Sequence, residues 1–144
     1  MYDKLKNMSD INLDTLINLV KLAKEKDITL VAVSKTKPIE LIQQAYDAGI
    51  RDFGENKVQE IKAKAEQLPK DINWHLIGHL QTNKVKYIAP FVHLIQSVDS
   101  LNLAYEINKQ GQKQQRVIPI LLQMFIAAET NKFGFSEEEL LDHL

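Results

Sequence analysis

The stretch ITLVAVSKTKP, residues 28–38, joins a strand signal to a helix signal and decides the fold. Its first part is almost entirely apolar or β-branched, and such a run predicts a buried β-strand over residues 28–34. Pro38 suits the first turn of a helix, because the N–H that proline lacks would be unpaired there in any case. The helix that follows is expected to end at Gly49. This part of the chain therefore predicts one strand–helix unit.

The same alternation recurs along the chain. Strands are predicted at residues 50–54, 73–78, 92–98 and 116–126, and helices at 13–26, 56–68, 82–91, 100–110 and from Ser136 onward. Strands that alternate with helices form βαβ units and a parallel sheet. No Gly-rich dinucleotide fingerprint follows the first strand, so an α/β fold of the TIM-type (β/α) barrel kind is favoured over a Rossmann fold.

The length of the chain limits that barrel. An eight-stranded barrel takes about 250 residues, whereas this sequence has 144. We therefore predict a single α/β domain, residues 1–144, that holds about five of eight βα units and is truncated at its C-terminus. The first and fifth strands are expected to be open edges, with pairing to another chain or local disorder at residues 28–34 or 117–126.

Composition and charge argue against several classes of protein. Lys and Arg number 18 against 19 Asp and Glu, and a net charge of −1 is not typical of a nucleic-acid binder. The absence of cysteine excludes disulfides, thiolate metal sites and a catalytic cysteine. The N-terminal segment lacks a signal-peptide core, and no apolar run approaches the roughly 20 residues of a membrane span. We expect a cytoplasmic protein that binds neither nucleic acid nor membrane.

Lys35 stands at the end of the first predicted strand, where a (β/α) barrel places its chemistry. Strand alternation puts Lys35 on the same face as Val33 and Val31. If that face points into the barrel, burial favours the neutral amine, which can attack an aldehyde and form a Schiff base. The alternative, that Lys35 leaves the strand and extends to water, stays open. Lys37 is a weaker candidate, because it lies in the turn before the proline.

Other polar residues also follow predicted strand ends. Asn56 can hydrogen-bond a cofactor oxygen or, alternatively, cap the next helix. His75 and His79 are four residues apart, which on a strand spans about 13 Å, so we predict no shared metal. We interpret His75 as a hydrogen-bonded histidine near the core and His79 as a loop residue. Glu129, with Lys132 close by, is as consistent with a surface ion pair as with a functional group.

Five motifs together resemble one family. AVSKTKP (32–38), AYDAGIRDFGENKVQE (45–60), WHLIGHLQTNK (74–84), SVD (97–99) and AAETNKFGF (127–135) occur in this order and at this spacing. The pattern resembles the pyridoxal phosphate homeostasis protein family, which is similar in fold to the N-terminal barrel of alanine racemase. The resemblance covers residues 1–144, essentially the whole chain.

The resemblance implies a cofactor and a site. Family members carry pyridoxal 5'-phosphate (PLP) as an aldimine on the lysine of the SK pair, which is Lys35 here. The asparagine of the family's GEN motif is Asn56, which is implied to lie near the cofactor. His75 is a third candidate contact. The family is thought to bind and hand over PLP, without a robust catalytic reaction. The expected function is therefore intracellular PLP (vitamin B6) homeostasis.

Two departures from the family and two alternatives accompany that expectation. Phe125 stands where the family usually has a polar residue, and the phosphate-binding loops near the end of family members have no counterpart before Leu144. One alternative is a PLP-dependent enzyme that acts on amino acids, such as a racemase. The other is a fragment without a cofactor that self-associates through its open sheet edges.

Overall fold

The computed structural model describes residues 11–125 and 134–142, in which strands and helices alternate as predicted. The strands are β1 Val31–Val33, β2 Asp52–Glu55, β3 Asn73–Leu76, β4 Leu94–Val98 and β5 Ile120–Leu122. The helices are α1 Leu13–Glu25, α2 Ile39–Asp47, α3 Val58–Gln67, α4 Val85–Ile88, α5 Leu101–Lys113 and α6 Glu137–Leu141, with a 3₁₀ turn, Thr82–Lys84, before α4.

The five strands form one parallel sheet in the order β1-β2-β3-β4-β5. Every strand lies beside its neighbour in sequence, as in a (β/α) barrel, whereas a doubly wound sheet reverses its strand order at a switch point. The predicted α/β fold, consistent with part of a TIM-type barrel, is confirmed. Among residues 11–125 and 134–142, β1 and β5 each have one strand neighbour and are the two edges of the sheet.

The hydrophobic core lies between the helices and one face of the sheet. Phe53, Trp74 and Leu76 project from the strands into this layer and are almost fully buried. Side chains alternate along a strand, so Val33, Gly54 and His75 belong to the opposite face. In a closed barrel that opposite face lines the interior. The carboxyl ends of the strands meet at one edge of this sheet, where we look for the site.

The fifth strand is much shorter than the predicted span of residues 116–126. Pro119 has no N–H for the ladder, and its carbonyl accepts from the Ile95 N–H at 3.1 Å. The register then shifts between Ile95 and Val98. The long apolar run therefore does not continue as one regular strand. The end of the predicted strand, residue 126, lies outside the described residues.

Two glycines, Gly49 and Gly111, directly follow predicted helices and differ in what they do. Gly49, with φ +106°, follows the end of α2 as predicted. α5 instead continues past Gly111 to Lys113. A Cβ at Gly111 would lie 2.8 Å from the Arg116 carbonyl oxygen. Gly111 therefore permits a close approach of the returning chain and does not end the helix.

The sheet edges expose apolar side chains. Val33 is 56% exposed and Leu121 51% exposed. Beyond β5, Met124 pairs in parallel with Phe135, and the Phe135 N–H donates to the Gln123 carbonyl at 2.8 Å. The expected pairing of these edges with another chain stays a prediction. Within the described part of the chain, no helix has the length and apolar character needed to cross a bilayer.

Candidate cofactor site at the carboxyl ends of the strands

Lys35 lies in a tight turn directly after β1. The Lys37 N–H donates to the Ser34 carbonyl at 3.0 Å and closes the turn, with Lys35 and Thr36 at its centre. Because β1 ends at Val33, strand alternation does not reach Lys35, and its side chain is exposed. Of the two alternatives for Lys35, the structure therefore shows the one in which the side chain leaves the strand and extends to water. No described residue forms an ion pair or hydrogen bond with its ammonium group.

The turn contains an unusual backbone conformation. Thr36 has φ +63°, a left-handed conformation that is unfavourable for a β-branched residue. Its N–H donates to Glu60 Oε2 at 3.0 Å. That hydrogen bond, with the Lys64 ammonium close by, holds the pKa of Glu60 below its usual value. A hydrogen bond from outside the turn thus stabilises a conformation that the local sequence disfavours.

A buried polar network lies beneath the turn. Ser34 Oγ donates to Glu55 Oε1 at 2.6 Å, and the Lys64 ammonium donates to the same oxygen at 2.7 Å. Lys64 also donates to the Ser34 carbonyl at 2.9 Å and lies 3.5 Å from Glu60 Oε2. Glu55 is 0% exposed and Lys64 7% exposed. The network therefore joins β1, β2 and α3 around the residues that flank Lys35.

Asn56 lies in the bend after β2, at the same edge of the sheet as Lys35. Val33 pairs with Gly54, so Lys35 and Asn56 each follow a paired position by two residues. The N-cap of α3 is Lys57, and no side chain caps that helix, so the capping alternative for Asn56 is wrong. A Cβ at Gly78 would lie 2.6 Å from the Asn56 carbonyl oxygen. Among the described residues, the Asn56 side-chain amide has no hydrogen-bond partner.

His75 lies deeper, in register with Gly54 and on the face of the sheet opposite the helices. Its Nε2 is 2.9 Å from Asp52 Oδ1, and its Nδ1 is 3.0 Å from the Gln96 amide nitrogen. Because the Gln96 amide donates to Nδ1, we assign the ring proton to Nε2, which donates it to Asp52. The interpretation of His75 as a hydrogen-bonded histidine near the core is confirmed, and its contact with a cofactor stays a prediction.

The His75 ring also lies beside His93, and histidine and aspartate side chains bind metals in other proteins. His93, which is exposed, stacks obliquely on His75 with ring centroids 5.3 Å apart, and Asp52 completes an Asp-His-His grouping. The hydrogen bonds to Asp52 and Gln96 already use both ring nitrogens of His75. His79 belongs to another pair, with its Nδ1 2.9 Å from Asp99 Oδ2 at the ends of β3 and β4. His75 and His79 therefore do not share a site.

One largely apolar cleft of the described residues lies beside β1 and does not include Lys35. It has a volume of about 320 Å³ and lies between β1 and helices α1 and α2. Leu16, Leu41 and Val33 are among its lining residues, and Lys37 and Ser34 border it. Lys35 and Asn56 do not line it. The candidate site is therefore an open surface at the sheet edge and not a closed pocket.

Several residues of the site were not singled out as candidates from the sequence, although Glu55 and Asp99 stand at predicted strand ends. Lys64 occupies the apolar face of α3, three residues after Ile61, and a charge on such a face is a signal of a buried pair. Glu55 is an acidic residue at the end of an apolar strand, which is a similar signal. Asp99 gave a weaker one, as it follows β4 at the edge where His79 follows β3. Glu129 and Lys132 lie outside the described residues.

Comparison with known proteins places the chain in a family. The profile of the alanine racemase N-terminal domain matches residues 11–144. The chain belongs to the alanine racemase N-terminal domain family. It is 45% identical over 112 residues to the pyridoxal phosphate homeostasis protein of Aquifex aeolicus, which covers 77% of this chain and 49% of that protein. The corresponding protein of Synechocystis is 43% identical over 115 residues, or 78% of this chain and 53% of that protein.

Solved structures agree with this family and fold. PipY of Synechococcus elongatus without PLP gives a TM-score of 0.78 at 36% identity, over 87% of this chain and 60% of that chain. The structure of PipY with PLP bound gives a TM-score of 0.72 at 33% identity, over 89% of this chain and 65% of that chain. Alanine racemase from Bartonella henselae gives a TM-score of 0.67 at 18% identity, over 92% of this chain and 38% of that chain. At that identity the likeness shows the fold alone. The predicted resemblance is confirmed, and the chain spans about half the length of the curated relatives it matches.

Proposed function

We propose that this chain binds PLP on Lys35 and serves intracellular PLP homeostasis as a carrier without a robust catalytic reaction. The observation that carries the proposal is the turn after β1. It presents an amine with no partner among the described residues at the carboxyl edge of the sheet. Relatives at about 40% identity are named pyridoxal phosphate homeostasis proteins, and PipY is known with PLP bound.

The residues at this edge fit the chemistry of PLP. PLP offers an aldehyde, a polar aromatic ring and an electron-withdrawing system that stabilises negative charge on a bound amino acid. The Lys35 amine would bond to the aldehyde carbon with release of water. The Asn56 amide, which has no partner among the described residues, would hydrogen-bond an oxygen on the ring. We keep His75 as a third, deeper contact, made through ring carbons because both of its nitrogens are already used.

Borohydride labelling tests the assignment of Lys35. The protein incubated with PLP is expected to turn yellow, and reduction is expected to leave a pyridoxyl group on Lys35, located by peptide mass spectrometry. Lys35→Ala is expected to abolish colour and label. Lys37→Ala is the matched control, since this lysine lies two residues away in the same exposed turn. A protein that stays colourless and unlabelled in excess PLP contradicts the proposal.

One observation favours the enzyme alternative. The exposed His79, held by Asp99 at the same sheet edge, has the character of an acid–base group. Incubation of the PLP-loaded protein with single L-amino acids in deuterated water separates the two functions. The carrier proposal predicts no exchange at the α-carbon above the level of free PLP. Exchange or racemisation at enzyme-like rates that is lost in His79→Ala and in Lys35→Ala supports a racemase-like enzyme instead.

The proposed role also defines partners and place of action. We propose PLP as the small-molecule partner and the cytoplasm as the place of action. We further propose that the exposed edges of β1 and β5 permit self-association, on the evidence of Val33 and Leu121. Light scattering after size-exclusion chromatography measures the molar mass of the protein in solution. Leu121→Lys is expected to reduce that mass. A monomeric parent protein at all concentrations contradicts self-association.

A further inference from the structure

A network of charged side chains holds both neighbours of Lys35 in the chain. On one side, Ser34 is bound through its hydroxyl by Glu55 and through its carbonyl by Lys64, at 2.6 and 2.9 Å. On the other side, the Thr36 N–H is bound by Glu60 at 3.0 Å. Lys64 connects the two halves, because it contacts both carboxylates. The backbone on either side of Lys35 is thus fixed by the same three side chains.

The burial of this network is not accounted for by stability. Taking an ammonium and a carboxylate out of water costs free energy, and well-packed apolar residues are often at least as stable in their place. The surrounding face of α3 is apolar, with Val58 and Ile61 in the core. An aliphatic side chain at position 64 would fit that pattern. An ion pair at this place therefore indicates a need for directed hydrogen bonds.

Both hydrogen bonds of Glu55 fall on one carboxylate oxygen. Oε1 accepts from both Ser34 and Lys64, whereas Oε2 is buried without a partner among the described residues. That oxygen thus joins the residue before Lys35 to the Lys64 ammonium group of α3, and the other oxygen has no partner among the described residues. Such an arrangement orients one segment of the chain and does not maximise hydrogen bonding.

The Thr36 conformation is the second observation. A threonine with φ +63° is strained, and strain of this kind persists only where the surrounding structure imposes it. Glu60 supplies the contact that imposes it. Without that acceptor, Thr36 would relax towards negative φ, and the direction of the Lys35 side chain would change with it.

We infer that Glu55, Lys64 and Glu60 are positioning residues that fix the Lys35 turn in the geometry in which its amine meets PLP. The inference rests on the proposed function of Lys35. None of the three side chains is placed against the cofactor, and each acts through Ser34 or Thr36. Their loss is expected to loosen the turn and weaken PLP binding while the sheet remains folded.

Two variants of the full 144-residue chain test the inference. Glu60→Met keeps the approximate length of the side chain and removes the oxygen that accepts from the Thr36 N–H. The double variant Glu55→Gln/Lys64→Met replaces the buried ion pair by neutral groups of similar shape, so that no charge is left buried alone. Lys62→Met is the matched control, because Lys62 lies on the exposed side of the same helix, 3.9 Å from Glu66.

Titration with PLP gives the first readout. Both variants are expected to bind PLP at least tenfold more weakly than the parent chain, and Lys62→Met within twofold of it. Amide hydrogen exchange in the PLP-free protein gives the second. Residues 34–37 are expected to exchange at least tenfold faster in the variants, with residues 74–76 of β3 unchanged.

The outcomes separate this inference from the proposed function. Parent-like PLP affinity together with parent-like exchange at residues 34–37 overturns the inference and leaves PLP binding intact. Faster exchange across the whole sheet also overturns it, since the network would then be merely structural. If the parent chain takes up no PLP, the proposed function fails. In that case, faster exchange in the variants that is confined to residues 34–37 still supports a role of the network in holding the turn. Exchange equal to that of the parent chain refutes that role.

Discussion

Both faces of the sheet bury polar groups, but they use them differently. On the helix side, Glu55 and Lys64 form an ion pair whose hydrogen bonds reach up to the turn after β1. On the opposite face, Asp52, His75 and Gln96 bond to one another across the middle of three neighbouring strands. The first group fixes a segment beyond the strands, whereas the second fills the space between strands. A polar group on one face of the sheet therefore has a different role from a polar group on the other face.

Removal of one partner of the buried ion pair is expected to have the largest effect. Lys64→Ala leaves the Glu55 carboxylate buried without its cation, which costs about 3–5 kcal/mol of the free energy of unfolding. Urea denaturation measures the loss. Lys62→Ala, on the exposed side of the same helix, is expected to change stability by less than about 0.5 kcal/mol. A loss of under about 1 kcal/mol for Lys64→Ala would mean that the pair is not effectively buried.

The corresponding change on the opposite face is expected to be smaller. Asp52→Asn keeps the shape of the side chain but removes the charged acceptor of the His75 N–H. Asp52 is 18% exposed, so water compensates in part. We expect a loss of about 1 kcal/mol in the free energy of unfolding. Urea curves at one pH check this. A loss as large as that of Lys64→Ala would remove the distinction between the two faces.

The pH dependence of the free energy of unfolding is expected to show the contribution of the hydrogen bond between Glu60 and the Thr36 N–H. The pKa of Glu60 is held below its usual value of 4.5, chiefly by the Thr36 N–H. A carboxyl with a lowered folded-state pKa contributes stability that is fully present above its unfolded value and is lost as the pH falls through the folded value. Stability should therefore fall below about pH 4.5, and Glu60→Gln should reduce that fall. Thermal unfolding between pH 3 and 6 measures this fall in the parent protein and in the variant. Identical pH profiles of the two proteins would contradict a stabilising role of the Glu60 hydrogen bond.

Relief of backbone strain in the turn is expected to have the smallest effect. Thr36→Gly removes the side chain that disfavours φ +63°, but it also adds freedom to the unfolded chain. The relief of strain and the added entropy of the unfolded chain nearly cancel. We expect the free energy of unfolding to rise by about 0.5 kcal/mol. Thr36→Ala is the matched control, because it keeps a Cβ. Destabilisation by glycine relative to alanine would show that the turn is not strained.

Much of the fold could be predicted because its signals are local. Apolar runs bounded by turn residues gave the five strands, and helical periodicity gave the helices between them. Local signals failed where a distant contact decides the outcome. The apolar run of residues 116–126 forms only a short strand, whose register against β4 shifts between Ile95 and Val98. Gly111 stays within a helix, because Arg116 returns against it.

The candidate site was predicted only in part, for the same reason. Lys35 and Asn56 follow strand ends, and sequence placed both there. The choice between a buried and a solvent-exposed Lys35 stayed open in the sequence, because alternation does not extend beyond Val33, the last residue of β1. The supporting side chains were missed. A charged residue such as Lys64 on an apolar helix face was the available signal, but its partner cannot be found from periodicity.

The sequence by itself determined the order of strands and helices and the presence of Lys35 at a strand end. Short-range apolar patterning and turn residues specify both. Only the tertiary structure decided how the turn around Lys35 is held. Ser34 meets Glu55 and Lys64 from 21 and 30 positions away, and Thr36 meets Glu60 from 24 positions away. Contacts at such separations arise only when the sheet and α3 pack together, and no local pattern encodes them.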